Sequence, residues 1–172
     1  MTQINTLALN EIYNMDCLDG MKLIEDNSVD LVLCDLPYGI TSCKWDSKIP
    51  FDKLWEQYNR IVKEDGVVVL FGSQPFTTEI INSNKKDYRY NWYWVKNGVT
   101  GFAFAKYQPM RKVEEIVVFY KKAPKYNPQG IVKLDNPKKK VRKKPEKDFI
   151  YDKETLSNEY VQEYTNYPNN AL

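Results

Sequence analysis

Apolar residues in the first 120 positions form short runs that alternate with amphipathic stretches. Val29–Cys34 and Val67–Phe71 are apolar runs with the length and composition of strands buried in a parallel sheet. Between them, Phe51–Val62 places apolar side chains at helical spacing. A strand, a helix and a second strand in this order predict an α/β sheet with crossover helices.

Weaker patterns before and after these runs predict further elements. A short strand is predicted over Glu11–Asn14 and a helix over Leu18–Glu25. Asp65-Gly66 is predicted to end the helix that begins at Phe51, because aspartate followed by glycine favours a turn. Residues 36–50 contain two prolines and a glycine, which predicts an irregular loop.

The second half of the pattern ends near residue 120. Ser73 is a candidate N-cap for a helix over Pro75–Asn82. Strands are predicted over Tyr88–Val95 and Glu115–Tyr120, and beyond them the periodicity stops. Only a weak helical pattern near Glu154–Tyr164 follows. This predicts a core over residues 1–120 and a basic target-recognition or flexible segment over residues 121–172.

Composition narrows the class of protein. With 172 residues and 42% hydrophobic content, the chain can bury the core of one domain. No apolar run is long enough to span a membrane, and the start lacks the pattern of a secretory signal, so a soluble, cytoplasmic protein is expected. The three cysteines lack the close spacing of a zinc site and are expected to be reduced structural thiols. The absence of histidine excludes histidine-based catalysis.

Charge is distributed unevenly along the chain. Residues 121–147 contain 11 lysine and arginine residues and two acids, a net charge of +9 in a chain whose total is +2. Such a block is either a mobile solvated loop or a phosphate-binding surface, and composition alone favours the loop. A nucleic-acid substrate would reverse that preference.

The Asp35–Tyr38 segment, Asp-Leu-Pro-Tyr, is the main candidate for chemistry. It lies where a predicted strand gives way to the irregular loop, and ligands of open α/β sheets bind at the carboxyl ends of strands. The aspartate could equally cap a loop, and the tyrosine could simply pack.

These groups suit methyl transfer to an aromatic amine, whose nitrogen lone pair is delocalised into the ring. The Asp35 carboxylate and the Leu36 main-chain carbonyl can accept the two amino hydrogens and stabilise the positive charge that grows on nitrogen. Tyr38 can stack on the base, and Pro37 stiffens the segment that aims the carbonyl. No histidine base is required, because the amine becomes acidic only after methylation.

The segment resembles the D-P-P-Y signature of DNA amino-methyltransferases, and the resemblance extends over roughly residues 10–130. It is closest to the phage-type adenine-specific (N6) enzymes, in the class whose catalytic motif precedes the cofactor motif. Matching segments follow in family order: Ile12–Leu18, Tyr38–Asp46, Leu70–Thr77, Trp92–Lys96, Gly101-Phe102 and Glu115–Phe119.

The resemblance implies a Rossmann-like fold and methyl transfer from S-adenosylmethionine to adenine N6 in double-stranded DNA. It assigns Asp16, Asp35 and Phe71 to the cofactor. Asp16 could instead be the N-cap of a helix, and Phe71 could simply begin an ordinary strand-to-helix turn. Lys44 and Trp45 would lie in a loop that closes over the target base. Contacts to DNA are expected from the basic segment, at Lys138, Lys139, Lys140, Arg142, Lys143 and Lys144.

Two departures from the family pattern matter. Leu36 replaces the first proline of the signature, but the acceptor there is a main-chain carbonyl and is retained. Aspartate rather than serine at position 35 favours adenine over cytosine, and methylation of cytosine N4 is the alternative.

The family's H-P-T-x-K-P-like segment and its D-x-F-x-G-S-G-like glycine loop do not occur in this sequence. The resemblance therefore implies an incomplete sheet without two central strands, in which the strand before Asp35 has an unpaired edge. A truncated or split enzyme that needs a complementing chain is the first expectation, and a homo-oligomer is the second. A catalytically silent DNA-binding remnant or subunit is the alternative.

Overall fold

The structure is a computed structural model, and it describes residues 7–141 and 159–172. The chain forms two compact units, one within Met1–Lys125 that includes Asn170–Leu172 and one within Tyr126–Asn169. No helix in the described ranges has the length and apolar character needed to cross a membrane.

A four-stranded mixed sheet forms the first unit. Its strands are β1 (Val29–Cys34), β2 (Val62–Gly72), β3 (Tyr88–Thr100) and β4 (Arg111–Phe119), in the spatial order β1-β2-β4-β3. β1 and β2 are parallel, whereas β4 runs antiparallel to both β2 and β3. The predicted α/β sheet is confirmed, and β1 and β2 are its parallel pair.

In the described part of the chain, three α-helices accompany this sheet: α1 (Cys17–Met21), α2 (Phe51–Ile61) and α3 (Phe76–Ser83). The second of them confirms the helical spacing in the sequence, since it buries Leu54, Trp55, Tyr58 and Ile61. Together α2 and α3 cover one face of the sheet, where Leu70, Val117 and Ile80 are completely buried. This packing fixes β2 and the ends of the neighbouring strands.

β1 is an edge strand in the part of the chain that the structure describes. It pairs with β2 on one side, and its Leu31 and Leu33 side chains are 51% and 61% exposed. The prediction of a buried strand is wrong for this face, because no described element covers these leucines. The expectation of an incomplete sheet with an unpaired edge beside Asp35 is confirmed for the described residues.

Several predicted boundaries near the N-terminus are wrong. Glu11–Asn14 forms no strand, and the helix expected over Leu18–Glu25 is the single turn of α1. Asp65-Gly66 does not end α2, which stops at Ile61. It lies inside β2, where a bulge against β1 accommodates the turn-forming pair.

Other differences concern the later elements. Ser73 does not cap α3, whose N-cap residue is Pro75, but its carbonyl accepts a hydrogen bond from Thr77 N. Both β3 and β4 extend beyond the predicted strands into a long hairpin, because cross-strand pairing compensates for the polar residues there.

The second unit is a two-stranded antiparallel sheet of β5 (Val132–Val141) and β6 (Glu159–Thr165). No strand was predicted after Tyr120, so β5 and β6 are elements that the sequence pattern did not indicate. The weak helical pattern near Glu154–Tyr164 is wrong where it overlaps β6, and its first residues lie outside the described ranges. Backbone pairing with β5 stabilises the extended form that the local pattern did not indicate.

Arg60, near the end of α2, connects this helix to the segment before β1. Its guanidinium donates to Met21 O at 2.6 Å and to Ile24 O at 2.8 Å, and it also pairs with the Asp26 carboxylate. The planar fork thus binds two main-chain carbonyl oxygens, one at the end of α1 and one in the turn that follows it.

Replacement of Arg60 by lysine is expected to lower the free energy of unfolding by about 1–3 kcal/mol, because one ammonium cannot reproduce these diverging bonds. Denaturant unfolding would measure the loss. As a control, Lys63→Ala removes a surface ion pair to Asp30 and should change stability by less than about 1 kcal/mol. Equal losses in the two variants would contradict this role of Arg60.

Candidate functional site

The Asp35–Tyr38 segment begins directly after β1, at the carboxyl end of the parallel strand pair. The Asp35 side chain is exposed, whereas Leu36 is buried in the core. Tyr38 Oη donates a hydrogen bond to Asp35 Oδ1 at 2.8 Å, so the segment folds back on itself. The tyrosine ring stacks on Phe76 of α3, with ring centroids 4.8 Å apart and planes inclined by 25°.

Burial is the main cause that raises the pKa of the Tyr38 hydroxyl well above its usual range, and the hydrogen bond to Asp35 adds to it. The hydroxyl is therefore a neutral donor over the physiological range. It orients one oxygen of Asp35, while the other oxygen remains available to a ligand.

Asp46 organises the loop that follows Tyr38. Its buried carboxylate accepts hydrogen bonds from three consecutive amides, Gly39 N at 2.8 Å, Ile40 N at 2.9 Å and Thr41 N at 2.7 Å. Gly39 has φ +67°, a left-handed conformation that suits glycine. Residues 39–41 therefore wrap around one carboxylate immediately after the candidate segment. Asp46 was not among the predicted site residues, and its only signal in the sequence was its place at the end of the family-like segment Tyr38–Asp46.

The Thr41 side chain and the three amides lower the pKa of Asp46 to about 2. A carboxylate whose pKa is lower in the folded than in the unfolded state stabilises the fold fully above about pH 4, and this contribution is lost as the pH falls towards 2. The folded loop thus depends on the charged form.

Asp46→Asn is expected to destabilise the protein by a constant amount at neutral pH, with a difference from wild type that narrows below about pH 4. Denaturant unfolding over a pH series would measure this difference. Asp65→Asn, at an exposed aspartate in the bulge of β2, is the matched control and should change the stability at neutral pH by less than about 0.5 kcal/mol. A difference that stays constant down to about pH 2 would contradict the role of the amide cage.

β2 contributes the residues beside the Asp35–Tyr38 segment. Cys34 is paired with Leu70, so Asp35 and Phe71 are the next positions along two adjacent parallel strands. The Phe71 ring is half-buried and packs edge to face against the Trp94 ring, with ring centroids 6.3 Å apart. Gly72 has no room for a side chain, since a Cβ there would lie 2.6 Å from Thr77 Oγ1. The close approach of β2 to α3 at this point requires glycine.

Comparisons with known proteins identify the fold. The chain is 30% identical over 82 residues to the type II methyltransferase M1.MboII of Moraxella bovis. The matched region covers 44% of this chain and 31% of the relative. The solved M1.HpyAVI–SAM complex superposes with a TM-score of 0.51 at 19% identity, over 69% of this chain and 61% of the other. For the cytosine-N4-specific PvuII DNA methyltransferase the TM-score is 0.52 at 14% identity, over 66% and 50% of the two chains.

This chain has part of the Rossmann-like methyltransferase fold. It spans about a third of the length of M1.MboII and between half and two thirds of the two solved structures. No family model matches the sequence. A likeness to solved structures at this level of identity shows the fold alone.

Within this methyltransferase fold, Asp16 caps α1. Its side chain accepts a hydrogen bond from Leu18 N at 2.8 Å, which is the capping role expected as the alternative to cofactor binding. Burial is the main cause that raises the pKa of the half-buried Cys34 thiol, and the nearby Cys17 and Asp35 add to it. All three cysteines are free thiols.

Lys44 and Trp45 lie in the loop that Asp46 organises. Both are exposed, and the Trp45 side chain is 73% accessible, so it does not serve as core packing in the described structure. Trp45 is the chain neighbour of Asp46, whose hydrogen bonds to the loop amides fix the backbone on which the exposed indole lies.

The basic residues assigned to DNA lie in the second unit. Lys138, Lys139 and Lys140 are exposed on β5, where successive side chains point to opposite faces. Lys139 forms an ion pair with Glu159 of β6 at 2.6 Å, which leaves Lys138 and Lys140 together on the other face. The remaining predicted contacts, Arg142, Lys143 and Lys144, lie outside the described residues.

Proposed function

We propose that this chain carries the target-base part of a DNA methyltransferase that methylates the N6 amino group of adenine, with S-adenosylmethionine as the methyl donor. The observation that carries the proposal is the geometry of the Asp35–Tyr38 segment at the carboxyl end of β1. An exposed carboxylate is oriented there by Tyr38, and the tyrosine is in turn fixed by its stacking on Phe76. The local similarity to a type II methyltransferase supports the same reaction class.

The site can activate an aromatic amine without a histidine. The free oxygen of Asp35 accepts one amino hydrogen, and the Leu36 carbonyl accepts the other. Both acceptors oppose delocalisation of the nitrogen lone pair and stabilise the charge that develops on nitrogen during attack. The buried Leu36 side chain and Pro37 anchor the carbonyl, so little reorganisation is needed when the base arrives.

Tyr38 has two functions in this proposal. Its hydroxyl orients Asp35, and the ring face that is not stacked on Phe76 can receive the target base. Delivery of that base from duplex DNA requires its extrusion from the stack, at a cost of a few kcal/mol. Trp45 and Lys44, exposed in the following loop, are available to contact the base and the phosphate backbone.

The N-cap residue of α1 and two residues at the ends of β1 and β2 fit the cofactor chemically. Asp16 and Asp35 offer carboxylate oxygens for hydroxyl and ammonium donors, and Phe71 offers a half-buried aromatic surface. The register between β1 and β2 brings Asp35 and Phe71 side by side. When bound, S-adenosylmethionine supplies an electrophilic methyl group.

Adenine is proposed over cytosine because the first residue of the segment is aspartate. The adenine-specific enzymes that this sequence resembles have aspartate at that position. Methylation of cytosine N4 is the alternative, since the fold is shared with a cytosine-N4-specific enzyme. Both reactions use an exocyclic amine, and the same two acceptors would serve either.

The β1 edge supports a partner. On the side away from β2, its backbone pairs with no strand in the described ranges, and another strand can add there beside the exposed Leu31 and Leu33. We propose that a complementing chain or a second copy of this chain completes the sheet there. Double-stranded DNA is the second proposed partner, with Lys138 and Lys140 contacting phosphates.

The first test is isothermal titration of the full chain with S-adenosylmethionine. Binding near the micromolar range, about −8 kcal/mol, would support an assembled cofactor site. The chain, the cofactor and duplex DNA would then be incubated together, and the nucleosides identified by mass spectrometry. N6-methyladenine supports the proposal, whereas N4-methylcytosine corrects the target base.

A silent DNA-binding subunit is the second candidate, and the open edge of β1 favours it. It predicts salt-sensitive DNA binding without any heat of cofactor binding. Under that outcome, DNA affinity would be unchanged by Asp35→Ala, because the carboxylate would have no amine to bind.

A further inference from the structure

The hairpin between β3 and β4 has an exposed aromatic tip. Its strands pair as far as Thr100 and Arg111, and residues 101–110 connect them. Phe102 and Tyr107 are 83% and 86% exposed, and Phe104 is more than half exposed. Three large aromatic side chains within six residues are therefore left in solvent, whereas a folded protein normally leaves such side chains singly exposed.

This hairpin tip, residues 101–110, is an ordered structure. Gly101 has φ +93°, and a short 3-10 helix over Phe102–Phe104 follows it. Phe104 N donates to Gly101 O at 3.0 Å, and Tyr107 N donates to Phe104 O at 2.8 Å. Successive backbone hydrogen bonds thus fix the backbone that carries the exposed aromatic rings. A partner would bind them without first having to order the loop.

The charge around the tip has one sign. Residues 96–112 contain Lys96, Lys106, Arg111 and Lys112 and no acid. Lys96 pairs with Glu114 at 2.6 Å, whereas the other three cations have no ion pair within the described ranges. Exposed aromatic rings interleaved with free cations suit a partner that offers both flat apolar surfaces and negative charge.

Among possible partners, this combination selects DNA. A second copy of the chain would bring the same cationic surface against itself in a two-fold interface, and the like charges would oppose pairing. A nucleic acid presents phosphates to the cations and base faces to the rings. Base faces become accessible where a duplex is opened, which is the condition that methylation of a base requires.

We propose that the hairpin tip is a DNA-binding element that stacks Phe102 and Tyr107 on unpaired bases while Lys106, Arg111 and Lys112 contact phosphates. It rests on the proposed function only in that DNA is the substrate, and it adds a contact surface distinct from the Asp35–Tyr38 segment and from β5. Stacking on bases is sequence-tolerant, so the tip contributes affinity for opened DNA rather than recognition of a sequence.

The test compares the full-length wild type with a Phe102→Ala/Tyr107→Ala variant. Fluorescence anisotropy would measure binding to a labelled duplex with one unpaired adenine and to the fully paired duplex. The variant is expected to bind the first duplex at least about tenfold more weakly and to lose the preference for it. Ile12→Ala, which removes a fully exposed apolar side chain elsewhere, is the control and should bind as wild type does.

A Lys106→Gln/Arg111→Gln variant checks the electrostatic part. Its slope of log affinity against log salt concentration should be smaller by about two, because two phosphate contacts are lost. All these positions are exposed, so thermal unfolding should be unchanged.

Equal affinity of wild type and the aromatic variant for both duplexes would overturn the inference. Loss of self-association in the aromatic variant, measured by analytical ultracentrifugation without a change in DNA affinity, would also overturn it and would assign the tip to a protein interface. The proposed methylation is judged separately, by cofactor titration and by nucleoside analysis, so either conclusion can fail without the other.

Discussion

Asp35→Asn is expected to lower methyl transfer to DNA by about 10²- to 10³-fold, the effect of removing one preorganised electrostatic group from a reacting centre. Asparagine has nearly the same shape as aspartate, and its amide oxygen can still accept the hydrogen bond from Tyr38 Oη. The local fold should therefore persist while the negative charge opposite the developing ammonium is lost. Transfer of labelled methyl groups from S-adenosylmethionine to duplex DNA measures the effect.

Tyr38→Phe is the matched control for that experiment. It removes the hydroxyl that orients Asp35 but keeps the ring stacked on Phe76. A smaller decrease, of about tenfold or less, is expected, because the carboxylate keeps its charge and loses one orienting bond. Rates within threefold of wild type for Asp35→Asn would refute the assignment of the carboxylate.

Phe76→Ala is expected to cost about 3–5 kcal/mol of unfolding free energy, a large part of the stability of a small domain. Phe76 is almost completely buried, and its ring contacts both Tyr38 and Phe51. Its removal leaves a cavity beneath the candidate site. The midpoint of denaturant unfolding should fall, and the Tyr38 ring should lose its fixed position.

Thr78→Ala, on the exposed side of the same helix, is the control for Phe76→Ala. Its hydroxyl donates only to the exposed Gln74 side chain, so a change within about 0.5 kcal/mol is expected. If both variants unfold at the same denaturant concentration, Phe76 does not support the core as described. If NMR showed a native-like environment for Tyr38 in Phe76→Ala, the position of the Tyr38 ring would not depend on Phe76.

The main elements of the first unit could be predicted because their signals are local. Burial of one helix face imposes the helical spacing of apolar residues in α2. The apolar runs favour strands at β1 and β2, although only β2 is largely buried. The Asp35–Tyr38 segment could also be located, since proline and glycine mark the point where β1 ends. The predictions were wrong where the local pattern was weak, as for the strand at Glu11–Asn14. They were also wrong where strand pairing outweighed a local turn preference, as at Asp65-Gly66.

The sequence by itself determined the α/β class, the position of the Asp35–Tyr38 segment after a strand, and the concentration of basic residues beyond residue 120. Only the tertiary structure decided that Asp46 binds the amides of the loop after Tyr38, that Leu31 and Leu33 of β1 are exposed, and that part of the basic segment is paired β structure. The physical reason is that each of these depends on partners distant in sequence or on loop geometry. The periodicity of buried positions is a local property of the sequence, whereas hydrogen-bond partners and strand neighbours exist only once the chain has folded.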